Sequence, residues 1–127
     1  MGKYLIDNNV ISKYFSELFS EKTMNFISKI IDETPNISVI TEIEALSWIN
    51  PDKEKEGFLK EFVSDSNILM LNPEIVTECI KIRRSKKIRT PDAIIAATAI
   101  VHNLTLITNY NDINGIQKLK TINPFSL

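Results

Sequence analysis

Four short apolar runs, each followed by a stretch of helical periodicity, leave few folds open to this chain. Tyr4-Leu5-Ile6, Ile37-Ser38-Val39-Ile40, Ile68-Leu69-Met70-Leu71 and Leu104-Thr105-Leu106-Ile107 have the length of buried strands and are bounded by turn residues. The first begins at about Lys3, and a weaker fifth run lies near residues 119–122, before Asn123-Pro124. Between them, apolar residues recur at helical spacing. Val10, Ile11, Tyr14 and Phe15 share one face, as do Met24, Phe26, Ile27, Ile30 and Ile31. After the second run, Thr41 and Glu44 have capping-box spacing, ahead of a helix with Ile43, Leu46 and Trp48 inward. Residues 52–63 turn Phe58, Leu59 and Phe62 inward, and residues 74–86 bury Ile75, Val76, Cys79, Ile80 and Ile82. Strands alternating with helices predict an α/β chain. The expected fold is three layers, α/β/α, around a mainly parallel sheet of four to five strands. In such sheets ligands bind at the carboxyl ends of the strands, where the strand order reverses.

With 127 residues there is room for one core and hardly for a second, so residues 1–127 are read as one domain. A formal net charge of −1 provides no global positive field to attract nucleic acid. The single cysteine, Cys79, excludes an internal disulfide and suits a reducing cytoplasm. No apolar stretch approaches the ~20 residues of a membrane span. Thr90-Pro91-Asp92-Ala93-Ile94-Ile95-Ala96-Ala97-Thr98-Ala99-Ile100 predicts a helix buried on several sides, with Thr90 as N-cap, Pro91 at the first helical position and Asp92 its only ionisable group.

The acids carry the chemistry. Asp7 ends the first strand, Glu44 lies in the first turn after the second, and Asp112 lies just past the fourth, so all three belong to one edge of the sheet. Topology alone puts the start of the Asp92 helix at the opposite edge, unless that helix begins high and reaches inward over the sheet. Singly, each acid has a structural alternative: a turn-former at Asp7, a capping-box glutamate at Glu44, a dipole partner at Asp92, a loop residue at Asp112. If the four converge, they need a counter-charge, and Mg²⁺ or Mn²⁺ matches an all-oxygen ligand set. One histidine at a helix end excludes a His-rich zinc site and disfavours a Ser-His-Asp triad. No GxxxxGK[ST] or GxGxxG loop occurs. Metal-assisted hydrolysis of a phosphodiester is the chemistry such a set supports.

Four segments also match a known family. Leu5-Ile6-Asp7-Asn8-Asn9-Val10-Ile11 resembles the first motif of PIN-domain ribonucleases, and residues 37–46 resemble the second, selecting Glu44 over Glu42. Thr90-Pro91-Asp92-Ala93-Ile94-Ile95-Ala96-Ala97 resembles the third and most specific, and Leu106-Ile107-Thr108-Asn109 followed by Asp112 resembles the fourth. The resemblance spans almost the whole chain and is closest to the VapC-type toxins of bacterial toxin–antitoxin pairs. It implies a cytoplasmic, Mg²⁺- or Mn²⁺-dependent endoribonuclease with Asp7, Glu44 and Asp92 as metal ligands and Asp112 as a more variable fourth. Asn9, Thr108 and Asn109 would support the acids by hydrogen bonding, and the Asp92 helix would begin beside the acidic pocket. The implied partners are an RNA substrate, a cognate antitoxin and a second copy of the chain. Within the basic run of residues 81–89, Lys86, Lys87 and Arg89 could track an RNA backbone, or simply complement a helix end. Trp48 stands where many members carry glycine and is read as packing, although it and the helix bearing Phe58 and Phe62 are candidates for a dimer surface. The loop from Thr108 to Asp112 is a residue shorter than in many relatives, and Ile113 replaces an aromatic. A different class of function, a catalytically silent PIN-like module that binds RNA or protein, would keep the fold without the metal.

Overall fold

The computed structural model describes residues 2–127. Five strands, β1 (Tyr4–Ile6), β2 (Asn36–Ser38), β3 (Asn67–Leu69), β4 (Thr105–Ile107) and β5 (Lys120–Ile122), form one parallel sheet in the order β3-β2-β1-β4-β5. Six helices surround it: α1 (Asn8–Phe15), α2 (Glu21–Asp32), α3 (Val39–Ser47), α4 (Lys53–Asp65), α5 (Pro73–Ser85) and α6 (Thr90–Val101). The expected α/β/α layering and parallel sheet are therefore observed. Alternating side chains of the strands feed two cores. Leu5 and Leu106, paired across β1 and β4, pack with Ile75, Ile82, Ala93 and Ala96 of α5 and α6. Their neighbours Ile6 and Ile107 pack on the other face with Val10, Ile27, Phe62 and Val63. No helix among the described residues is long and apolar enough to cross a membrane.

The sheet also holds one buried polar lock. Asn36 is completely buried in β2, where its side-chain amide donates to the carbonyls of Gly2 (2.9 Å) and Tyr4 (3.0 Å) and its carbonyl accepts from Asn67 Nδ2 (2.8 Å). It stitches β1, β2 and β3 together at their amino ends.

Several sequence expectations are corrected. β2 stops at Ser38, whose Oγ accepts from the Ile40 N–H (3.1 Å) and caps α3 three residues earlier than Thr41 was expected to. Thr41 is instead a buried residue within the helix, its hydroxyl unpartnered. The shift rotates α3, so Ile43, Leu46 and Trp48 face outward rather than into the core. Phe58 of α4 and Val76 and Ile80 of α5 are likewise exposed, because each helix has only a narrow stripe against the sheet. α6 begins one residue early, with Arg89 as N-cap and Thr90 already helical.

The largest correction concerns the edge at which α6 starts. α6 ends at Val101 and β4 begins at Thr105, leaving only a tight turn in which the Leu104 N–H bonds the Ala99 carbonyl (2.8 Å). A helix that closes so directly onto the amino end of a strand must run antiparallel to it. Its first turn, with Asp92, therefore lies at the carboxyl edge, with Asp7 and Glu44 and not opposite them.

Candidate active site

The strand order places β1 between β2 and β4, so chain connections diverge on either side of it and leave a crevice beyond its carboxyl end. Asp7 follows β1 directly. Its backbone N–H bonds the Ile107 carbonyl (3.1 Å), continuing the ladder to β4 by one residue. Its carboxylate then accepts from the Asn8 N–H (2.8 Å), capping α1, and from the Thr108 hydroxyl (2.7 Å). Thr108 is buried where β4 ends and also accepts the Tyr110 N–H (3.1 Å). Each oxygen of Asp7 thus has one fixed donor and an unused lone pair.

Asp7, Glu44 and Asp92 are close enough to perturb one another. Burial raises the Asp7 carboxyl above its ordinary 3.8; the Thr108 and Asn8 hydrogen bonds oppose this, and the charge of Asp92 adds to it. Partial desolvation raises Glu44 above 4.5, reinforced by the charges of Asp7 and then Asp92, although Glu44 stands at the exposed rim. Asp92 is partly buried and accepts from Arg89 Nε at 3.2 Å across one helical turn. That guanidinium also lies near enough to Glu44 to favour its ionised form.

Asp112 is placed differently. It is exposed, in a 3₁₀ turn (Asn111–Ile113), and its carboxylate accepts from the Tyr110 hydroxyl (2.9 Å). That hydrogen bond raises the Tyr110 phenol above its ordinary value. Tyr110 is the residue that sequence reasoning missed; its signal was the Thr108-Asn109-Tyr110 spacing directly after a strand. Of the expected supporting residues, Thr108 bonds Asp7, whereas Asn9 and Asn109 each bury a side-chain carbonyl oxygen without a partner. Among the basic candidates, Arg89 is tied to Asp92, Lys86 Nζ donates to the Asn114 carbonyl (3.2 Å), and Lys87 is exposed.

A divalent cation fits this donor set. Two mutually repelling carboxylates of raised pKa need positive charge, and the orphaned carbonyls of Asn9 and Asn109 need donors, which a hydrated ion's waters are. Among the described residues no three His, Cys, Asp or Glu side chains already enclose an ion-sized site. Any bound ion would therefore keep several waters, as Mg²⁺ does.

The PIN domain family matches residues 4–119. The chain belongs to the PIN-domain family. Among solved structures, this PIN domain is similar to a chain of a toxin–antitoxin complex from Klebsiella pneumoniae, at 27% identity over 98% of this chain and 99% of that one, with a TM-score of 0.73. It is similar to a chain of FitAcB from Neisseria gonorrhoeae at 25% identity, over 98% and 99% of the two chains, with a TM-score of 0.75. It shares its fold with a chain of DNA-bound VapBC from Salmonella typhimurium, at 18% identity over 98% and 99%, with a TM-score of 0.78. No curated protein matches in sequence at a significant level.

Proposed function

We propose that this PIN domain is a Mg²⁺- or Mn²⁺-dependent endoribonuclease and acts as the toxin of a toxin–antitoxin pair. The observation that carries the reading is the Asp7 carboxylate, locked across β1 and β4 by Thr108 and within electrostatic reach of Glu44 and Asp92. Those three carboxylates would hold the ion, with Asp112 reaching it only if it leaves Tyr110. When bound, such an ion makes water more acidic and neutralises charge on a phosphodiester. The chain's own contribution is rigidity. Thr108 and the Asn8 N–H orient Asp7, the buried body of α6 fixes Asp92, and Arg89 supplies a cation at the cluster. Lys86 and Lys87 extend that positive edge for an RNA backbone. The similarity to chains of toxin–antitoxin complexes supports an antitoxin partner. The exposed apolar stripe of Met70, Leu71, Val76 and Ile80 supports a second copy of the chain as a further partner.

Purified protein should cut RNA in Mg²⁺ or Mn²⁺ and stop with chelator, and Asp7→Asn should abolish cutting while circular dichroism is unchanged. Cutting that survives either change would overturn the reading. One observation favours the silent-module alternative: Arg89 already occupies an oxygen of Asp92. Calorimetry that finds RNA binding but no Mn²⁺ binding would decide for it.

A further inference from the structure

We propose that the cleft between α1, α3 and α4 is a base-binding subsite, which takes an unstacked base of single-stranded RNA beside the carboxylate cluster with Trp48 as its stacking platform. The proposal rests on the ribonuclease reading for its ligand and on separate residues for its geometry. Asn8, Ser12, Phe15 and Ser16 recur at helical spacing along α1, and Glu44, Ala45 and Trp48 do so along α3; the two faces meet over Leu59 of α4. Between them lies a cavity of about 190 Å³. Glu44 lines it, so the cleft is continuous with the acid cluster where a phosphate would sit.

The lining joins apolar walls, Phe15, Ala45 and Leu59, to polar groups at their edge, the combination that a base takes. Trp48 is 58% exposed, which leaves much of its indole open to stack on a ligand. Asn8, Ser12 and Asn50 bring amides and a hydroxyl of the kind that read base edges. Asn50 is held for this purpose: its N–H donates to Glu56 Oε2 (2.9 Å) and its side-chain carbonyl accepts the Asp52 N–H (2.9 Å), leaving the NH₂ for a ligand. Lys55 adds a cation at the wall, complementary to the flanking phosphate.

Trp48 is the chain's single tryptophan, so its fluorescence reports the subsite directly. The full chain is titrated with homopolymeric oligoribonucleotides of A, C, G or U, in chelator to prevent cleavage and at low salt, where phosphate contacts are strongest. At least one should quench Trp48 saturably, while an abasic oligomer of the same length should not. By anisotropy of labelled RNA, Trp48→Ala should bind roughly 5- to 150-fold more weakly, the range of one lost base stack, and Trp48→Phe should recover most of the loss. Ser12→Leu, which fills the cleft, should repeat the Ala result. Equal quenching by the abasic oligomer, or unchanged affinity of Trp48→Ala, overturns the subsite. So does quenching by an apolar helical peptide with none by RNA, which would make the cleft a protein-docking site. Base-dependent quenching without any cleavage in Mn²⁺ would refute the nuclease reading and keep the subsite; cleavage without base dependence would do the reverse.

Discussion

Replacing Thr108 by Val removes two hydrogen bonds with almost no change of shape, which makes it a clean probe of how the fold holds Asp7. The hydroxyl donates to Asp7 Oδ2 at 2.7 Å and accepts the Tyr110 N–H at 3.1 Å. The first bond is to a charged acceptor and contributes about 1.5–3 kcal/mol; the second is neutral and contributes about 0.5–1.5 kcal/mol. Thr108 is buried, so water cannot take the place of the hydroxyl. The sum is about 2–4.5 kcal/mol, a fall in Tm of roughly 6–18 °C for a chain of this size. The loss should depend on pH. The Thr108 bond favours ionised Asp7 and opposes the rise that burial causes. Without it the folded-state pKa climbs further, and the destabilisation is largest where Asp7 is ionised. It should shrink as pH falls through Asp7's raised pKa, where only the weaker neutral bonds are compared. Thr108→Ser keeps both bonds and should stay within about 1 kcal/mol of the parent. Urea unfolding of all three proteins across that pH range is the assay. A Thr108→Val curve that overlays the parent at neutral pH, or one whose deficit does not diminish in acid, would falsify the claim that this bond anchors the carboxylate.

Three further outcomes follow from neighbouring contacts. Because Asp7 binds its proton more tightly folded than unfolded, its contribution to stability is present below its ordinary 3.8 and lost as pH rises through the raised value. Asp7→Asn removes that charge but can accept only one of the two hydrogen bonds, so its Tm relative to the parent should rise by on the order of a few degrees from below the ordinary aspartate pKa to neutral pH. Differential scanning calorimetry across that range is the check, and a Tm difference that stays constant or falls as pH rises would contradict it. Asn36→Ala strands two partly buried carbonyls and the Asn67 amide, and should cost about 2–5 kcal/mol in urea unfolding. Arg89→Ala removes the cation that competes for Asp92, an exposed pair of modest strength. Isothermal titration should give Mn²⁺ affinity higher by up to about fivefold, and a weaker affinity would mean that Arg89 helps the ion instead of standing in for it.

How much of this was legible in the sequence depended on whether the deciding force was local. The strand-then-acid juncture at Asp7 was readable because an apolar run ending on a charge is a local signal, and so was the apolar body of α6, although its N-cap is Arg89, which makes no side-chain cap bond, and not Thr90. For the edge at which Asp92 sits, topology pointed the wrong way and only the family resemblance put it beside the other acids, because an extra helix, α5, lies between β3 and α6 and upsets simple counting of reversals. The short turn into β4 held the answer, since it forces α6 to run back along the strand. The outward face of α3 was misread for a similar reason. Ser38 and Thr41 are both competent caps, and only the tertiary placement of β2 against β1 and β3 decides for Ser38, turning Trp48 to the surface. The spacing after β4 carried a signal for Tyr110 as a residue of the site, but its hydroxyl bond to Asp112 two residues away is a matter of loop geometry and not of pattern.

In the proposed reading the cluster must stay ready for a cation. Without one, repulsion among Asp7, Glu44 and Asp92 favours taking up protons or splaying apart; burial is the main cause of the raised values at Asp7 and Glu44, and that repulsion adds to it. The fold resists splaying at each member by a different means. Asp7 is clamped by Thr108 and the Asn8 N–H, while Asp92 rides on a helix whose Ala93, Ala96, Ala97 and Ala99 are completely buried and leave no room to shift. Glu44, at the rim of α3, has no such clamp and is the one acid free to adjust. A cluster with two rigid members and one adaptable member can accept ions of different size. This matches a ligand set that does not by itself discriminate between Mg²⁺ and Mn²⁺.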